Sequence, residues 1–198
     1  MINGYLRGLR RRPVVDVHRW KSVAGIVVIL SGVPVDDTGG GARGAQFALE
    51  LIRRQFLVIY VNLFPKYETQ GVDARIGHPN LIVTHFRKFS IEDFTQQFGP
   101  LLHEKPFGLL VELPIPDFLP IVRELRKLGA RVMYDLIDDW STSLGARWYT
   151  ETAERELIAA SDTLMATAPT LQARLERLSG REALLLPNAV NLRLFNYR

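Results

Sequence analysis

The sequence predicts an α/β domain: a doubly wound, mostly parallel sheet with helices on both faces. Three observations carry this. Apolar, β-branched runs recur along the chain, each followed by a segment with helical spacing. Several of these runs are apolar on both faces, as in strands buried beneath two layers rather than one. The 198 residues, 47% hydrophobic and 23% charged, suffice for one good-sized core, and no internal repeat or low-complexity linker divides them.

The elements follow in order. Residues 24–30 (AGIVVIL) read as the first strand. Residues 44–55 form a helix, with Phe47, Ala48, Leu51 and Ile52 on one face. Residues 57–63 (LVIYVNL) and 81–84 (LIVT) are the next strands. Ser90 caps a helix with acids in its first turn. Residues 107–112 (FGLLVE) form a strand, and 116–127 a helix that turns Phe118, Ile121, Val122 and Leu125 inward and ends at Gly129. Residues 130–135 (ARVMYD) are a strand, 148–160 a helix, and 162–166 (DTLMA) a strand. Pro169 opens a helix over 169–178 that Gly180 closes, and 183–186 is a last short strand stopped by Pro187. Alternation of this kind implies right-handed crossovers and six or seven strands. In such folds ligands bind beyond the carboxyl ends of the strands, so the loops there carry the candidate chemistry.

Residues 1–23 form a basic leader with Arg7, Arg10, Arg11, Arg12, Arg19 and Lys21, and the domain is expected to span 24–198. With Ile2, Tyr5, Leu6 and Leu9 interleaved, the leader reads either as an amphipathic helix at an anionic membrane surface or as a disordered basic segment. The first residues lack the apolar stretch of a signal peptide, and no run approaches a spanning helix. There is no cysteine, hence no disulfide and no thiolate chemistry. The net charge of +4 is concentrated partly in the leader, and no basic stripe with interleaved aromatics points to nucleic acid.

Four loops draw attention. Gly39, Gly41 and Gly44 spell G-x-G-x-x-G, but the first glycine comes about eight residues after its strand, and Asn62 stands where a dinucleotide fold needs an acid for the ribose. What remains is a glycine loop, Gly39, Gly40 and Gly41 with Arg43, feeding a helix N-terminus. It suits a phosphate group or is a simple linker. The stretch DLIDDWSTSLG clusters Asp135, Asp138, Asp139 and Trp140 beyond a strand. Asp138 and Asp139 are the candidate catalytic acids, as a base or hydroxyl acceptor; the alternative is helix capping, with Trp140 as packing. Glu112, at another strand end, either touches a polar ligand or pairs with Arg123 or Arg126. His85 lies at a third strand end, as a ligand contact or a structural residue. No metal-ligand spacing is evident, and no metal is expected.

Taken together, the glycine loop TGGGARGAQFALEL, the strand closing on YDLIDDW, and the tail from Glu154 through AASDTLMATAPTLQARL to LLLPNAVNLRLF resemble the N-terminal domain of GT-B glycosyltransferases, specifically the family-4 (group 1) retaining enzymes. The likeness covers about residues 24–198. It implies a Rossmann-like domain forming the acceptor side of an interdomain cleft, and a separate C-terminal donor-binding domain outside this chain, without which the domain is inactive. It implies a nucleotide-sugar donor (UDP-, GDP- or dTDP-linked), a sugar or lipid acceptor, and no cofactor. On this chain the cleft residues would be Gly39, Gly40, Gly41, Arg43, His85, Glu112, Trp140 and Asn188, with Asp138 and Asp139 where many relatives carry a histidine. Two departures stand out: Ala189 and Asn191 replace the glycine and aspartate that usually follow proline-asparagine. The implied location is cytoplasmic, with peripheral contact at the inner face of a membrane as an option. The alternative is a stand-alone nucleotide-binding or interaction module of the same fold.

Overall fold

A computed structural model describes residues 17–36, 42–64, 77–145 and 147–189. The strands are β1 (Ile26–Ser31), β2 (Leu57–Asn62), β3 (Leu81–His85), β4 (Phe107–Val111), β5 (Arg131–Leu136), β6 (Thr163–Ala166) and β7 (Leu184–Leu185). Between them run helices α1 (Arg43–Arg53), α2 (Ile91–Leu102), α3 (Leu119–Lys127), α4 (Glu151–Ala160) and α5 (Pro169–Ser179). All strand pairs are parallel, in the order β3-β2-β1-β4-β5-β6-β7. This is a Rossmann-like, doubly wound sheet. The chain steps outward from β1 to β3, then crosses back to β4 and steps outward the other way. The reversal lies between β1 and β4, and that is where such sheets open a crevice.

Side chains of successive strand residues point to opposite faces. Val27, Ile29, Val58, Tyr60 and Leu110 pack under α1 with Ala45, Ala48 and Ile52. The intervening residues, Ile26, Val28, Leu30, Leu57, Ile59, Leu109 and Val111 among them, pack under α2 to α5. Both sets are buried, which is why the central strands read as continuous apolar runs.

The helix starts follow from local chemistry. The Ser90 hydroxyl accepts the Asp93 N–H at 3.2 Å, and the Thr150 hydroxyl accepts the Ala153 N–H at 3.2 Å. Each satisfies a donor the helix itself cannot pair. Two helix starts differ from the sequence expectation by three residues. The segment expected as one helix over 116–127 opens as a 3-10 turn, Pro116–Phe118, before α3 begins. Pro120 has no N–H to bond the Pro116 carbonyl four residues back, so the Leu119 N–H takes it instead. The helix expected from 148 begins at Glu151, because Thr150 is spent as its cap and Trp148 packs against Trp140.

The domain also begins earlier than residue 24. Trp20 and Val23 are buried in the core, Trp20 lying 5.4 Å from Phe98 and donating its indole N–H to the Pro79 carbonyl. The part of the leader at residues 1–16 lies outside the described residues. Among the described residues no helix is long and apolar enough to cross a membrane.

Candidate functional site

Where the strands reach their carboxyl ends, the face under α1 changes character. Tyr60, Ile29 and Leu110 on that face are apolar core. Two residues further along each strand stand Asn62, Ser31 and Glu112, and two beyond Met133 on β5 stands Asp135. Ser31 is in register with Asn62, and the pairing of Leu30 with Val111 and of Val111 with Tyr134 carries the same row across to Glu112 and Asp135. All four are buried. A row of polar side chains therefore crosses β2, β1, β4 and β5 at the strand reversal, beneath the N-terminus of α1.

Asn62 is satisfied locally, its side-chain amide donating to the Phe64 carbonyl at 2.7 Å. Glu112 is not. It is 3% exposed, and neither its Oε1 nor the Ser31 Oγ has a hydrogen-bond partner. Its carboxyl lies against the first turn of α1. A Cβ on Gly44 would stand 2.8 Å from each carboxylate oxygen, so any larger residue there forces the buried carboxyl to move. Burial pushes the Glu112 carboxyl up to about 7; the neighbouring Ser31 hydroxyl opposes this, the Asp135 charge adds to it, and Arg43 and the Gly44 N–H oppose it. Glu112 is thus a carboxyl that changes charge near neutral pH. The expected pairing with Arg123 or Arg126 does not form: Arg123 bonds Glu156, and Arg126 bonds Asp162 and the Ala160 carbonyl.

Asp135 holds the other end of the row. It is fully buried and takes a two-pronged contact from Arg43, Nε to Oδ2 at 2.6 Å and Nη2 to Oδ1 at 3.2 Å. Burial raises its pKa, and the Arg43 hydrogen bond and charge act against the rise. Arg43 itself is the first residue of α1. Its Nη1 also reaches the Pro187 carbonyl and the Asn188 Oδ1, both at 3.3 Å, and its guanidinium lies 4.9 Å from the Phe47 ring centre. The planar fork of arginine permits several directed contacts at once.

The acid pair proposed from the sequence lies elsewhere. Asp138 is exposed, and partial desolvation moves its carboxyl above the ordinary value. Asp139 accepts from the Ser141 N–H at 3.1 Å and the Ser141 hydroxyl at 2.5 Å, and these bonds, with Arg174 and Arg177 nearby, lower its pKa. Asp139 therefore ties its own turn. Trp140 belongs to the core, 5.1 Å from Trp148.

The same turn is anchored to a buried network. Glu154 is fully buried and accepts two Arg174 bonds at 2.6 Å, plus the hydroxyls of Tyr134 at 3.0 Å and Tyr149 at 2.9 Å. Arg174 also stands 3.5 Å from Asp139. With every carboxylate oxygen bonded, this network holds α4 and α5 to β5 and is structural in character.

His85 caps the 3-10 turn Phe86–Lys88, its Nδ1 accepting the Arg87 N–H at 3.2 Å. It also lines a cavity of about 860 Å³ at the ends of β2, β3 and β4. Gly39, Gly40 and Gly41 lie outside the described residues. So of the residues singled out from sequence, Arg43, Glu112 and Asn188 meet near one point, while Asp138, Asp139, Trp140 and His85 stand apart from it. Ser31 was not singled out, and Asp135 was named only as one acid of its loop, not as a cleft or catalytic residue. The period-2 pattern of β5, with Val132, Tyr134 and Leu136 in the core under α2 to α5, places Asp135 toward α1 and was the signal for it. Among the described residues no group of three or more histidine or acidic side chains is placed to hold a metal ion.

No protein-family model and no curated protein matches the chain. Among solved structures it is similar to a short-chain dehydrogenase/reductase from Burkholderia vietnamiensis, at 11% identity over 84% of this chain and 88% of that one, with a TM-score of 0.34. That likeness is too slight to bear on chemistry, and the sheet order stands on its own.

Proposed function

We propose that this Rossmann-like domain binds a ligand bearing hydroxyl and phosphate groups at the carboxyl edge of its sheet, beside the N-terminus of α1. In its finer form the proposal makes it the acceptor-side domain of a retaining glycosyltransferase that uses a UDP-, GDP- or dTDP-linked sugar. One observation supports the finer form. The three stretches that resemble such enzymes are far apart in sequence, and Arg43 of the first bonds Asp135 of the second and Asn188 of the third. Residues that the resemblance marks separately converge on one guanidinium.

The chemistry of the row suits transfer. A leaving diphosphate carries negative charge, which a helix N-terminus and an arginine offset. An acceptor hydroxyl needs a proton acceptor, and a carboxyl titrating near neutral pH is matched to that task. In this proposal the acid is Glu112, in place of Asp138 or Asp139. The test is the full-length protein incubated with a panel of nucleotide-sugars and followed for transfer and for donor hydrolysis. Turnover of one donor, reduced at least about tenfold by Glu112→Gln, is expected; neither transfer nor hydrolysis with any donor refutes the transferase.

The coarser alternative, a stand-alone nucleotide-binding module, is favoured by the sheet order itself, whose reversal point coincides with the polar row. Calorimetric binding of a nucleoside diphosphate without turnover of any sugar derivative supports that reading over the first.

A further inference from the structure

The cavity beside His85 shares no lining residue with the Arg43 cluster and lies on the other side of the sheet, where Phe118 and Trp140 form part of the core under α2 to α5. Its volume, about 860 Å³, is within the span of ligand pockets. Two of its walls are aromatic and braced from behind. Phe86 packs edge-on against buried Phe118 at 6.2 Å, and Trp148 packs against buried Trp140 at 5.1 Å. Rings held in this way present a fixed face at little cost in side-chain entropy.

The polar part of the lining is cationic. Arg87 and Arg147 come from different elements, the turn after β3 and the turn before α4, and neither side chain has a hydrogen-bond or ion-pair partner among the described residues. Asp117 is the acid among the lining residues, so two guanidiniums face one carboxylate. His85 adds a donor: with Nδ1 accepting the Arg87 N–H, the ring proton sits on Nε2. Elsewhere in the structure Arg53 of α1, Arg123 and Arg126 of α3 and Arg155 of α4 pair with acids on the surface, and Arg43 pairs with buried Asp135. Arg131 and Arg177 also lack an ion pair among the described residues; Arg87 and Arg147 differ in that both line one cavity.

We propose that this cavity binds a phosphate ester of a ring compound. The ring lies against Phe86 and Trp148, and the phosphate is held by Arg87 and Arg147. A guanidinium fork matches phosphate oxygens in pairs, and aromatic faces take the flat apolar face of a sugar or a base. The proposal is independent of the role given to Arg43 and Glu112. A sugar phosphate and a nucleoside monophosphate share the chemistry, and the experiment separates them.

Trp148 is one of three tryptophans and lines the cavity, so intrinsic fluorescence reports on it. The protein is titrated with uridine monophosphate, glucose 1-phosphate, uridine, glucose and inorganic phosphate, with calorimetry in parallel so that a spectrally silent event is still seen. The expected result is saturable binding of at least one phosphorylated ring compound, about tenfold or more tighter than its unphosphorylated parent and than inorganic phosphate. Arg87→Gln and Arg147→Gln each weaken it by about tenfold, while Arg123→Gln, a charge-matched change on α3, leaves it intact. Absence of binding by both methods up to about 10 mM overturns the proposal. So does equal weakening by Arg123→Gln, which marks non-specific charge attraction.

Discussion

Replacing Glu112 by glutamine removes one titratable group and almost nothing else. The amide is the same size as the carboxyl, keeps an acceptor for the Gly44 N–H, and offers donors to the Ser31 oxygen. Glutamate ordinarily titrates at 4.5, and Glu112 does so at about 7 because it is buried. The folded state therefore holds this proton more tightly than the unfolded chain does. The stability that comes from holding it is fully present below about 4.5 and is lost as pH rises through about 7. At about 1.4 kcal/mol per pH unit the gap is worth about 3 kcal/mol. Glu112→Gln does not share this loss, since its amide does not titrate. Urea denaturation of both proteins at intervals from pH 4 to pH 9 gives the difference in unfolding free energy, from which every other titrating group cancels to first order. The expected difference shifts in favour of the glutamine variant by about 3 kcal/mol from acid to pH 8 and is level beyond. A difference that stays constant with pH refutes the burial of an ionisable carboxyl at this position, and with it the proton-accepting role.

Three further outcomes are expected. Gly44→Ala, which in an open helix start gains up to about 1 kcal/mol, instead destabilises by about 1–3 kcal/mol because the methyl collides with the Glu112 carboxyl. Thermal unfolding in a Glu112→Ala background should return it to neutral or stabilising, and persistence of the loss there contradicts the steric account. Arg43→Met leaves Asp135 buried without its partner and costs about 3–5 kcal/mol at pH 8. The cost shrinks as pH is lowered, because the Asp135 carboxyl is raised and loses its opposing cation, and a double change with Asp135→Asn recovers much of it; additive losses in denaturation curves argue against the pair. Arg174→Leu, which strands fully buried Glu154, costs about 3–5 kcal/mol by the same measurement, whereas Asp139→Ala costs about 1 kcal/mol, the worth of a lost turn cap. Equal costs for the two place the Glu154 network outside the core of the fold.

The elements themselves were legible because each is written locally. The run IVVILS carries apolar residues for both faces, Ser90 and Thr150 are cap residues at helix starts, and Gly180, with φ of 66°, closes α5 where no other residue sits easily. The site was legible only in part. Glu112 was marked by its place at a strand end, Arg43 by the glycine loop that feeds a helix N-terminus, and Asn188 by the resemblance alone. Asp138 and Asp139 were favoured because adjacent acids in a loop look reactive, yet their surroundings are solvent and a tight turn. The acid that meets Arg43 is three residues earlier, still inside the strand. Which carboxyl is perturbed depends on what lies across the sheet and above it, and that is long-range information: Arg43 and Asp135 are 92 positions apart. His85 shows the same limit, since capping a turn and lining a cavity have one sequence signature.

A cost without a structural return separates the polar row from the other buried acid. Glu154 has all its lone pairs engaged and joins three elements, so its burial is explained by what it holds together. Glu112 joins nothing with its Oε1, crowds the position of Gly44 in α1, and by its raised pKa is expected to lower stability at neutral pH where an isosteric amide would not. Stability alone favours glutamine there. A fold that carries such a residue at the reversal point of its sheet, next to an arginine drawn to the same edge by Asp135, is weaker at the place where a Rossmann-like sheet receives its ligand. The burial that raises the Glu112 pKa is also what prepares it to exchange a proton near pH 7. In the proposed reading one side chain carries both the stability cost and the proton exchange, and so the glutamine substitution that tests the first also tests the second.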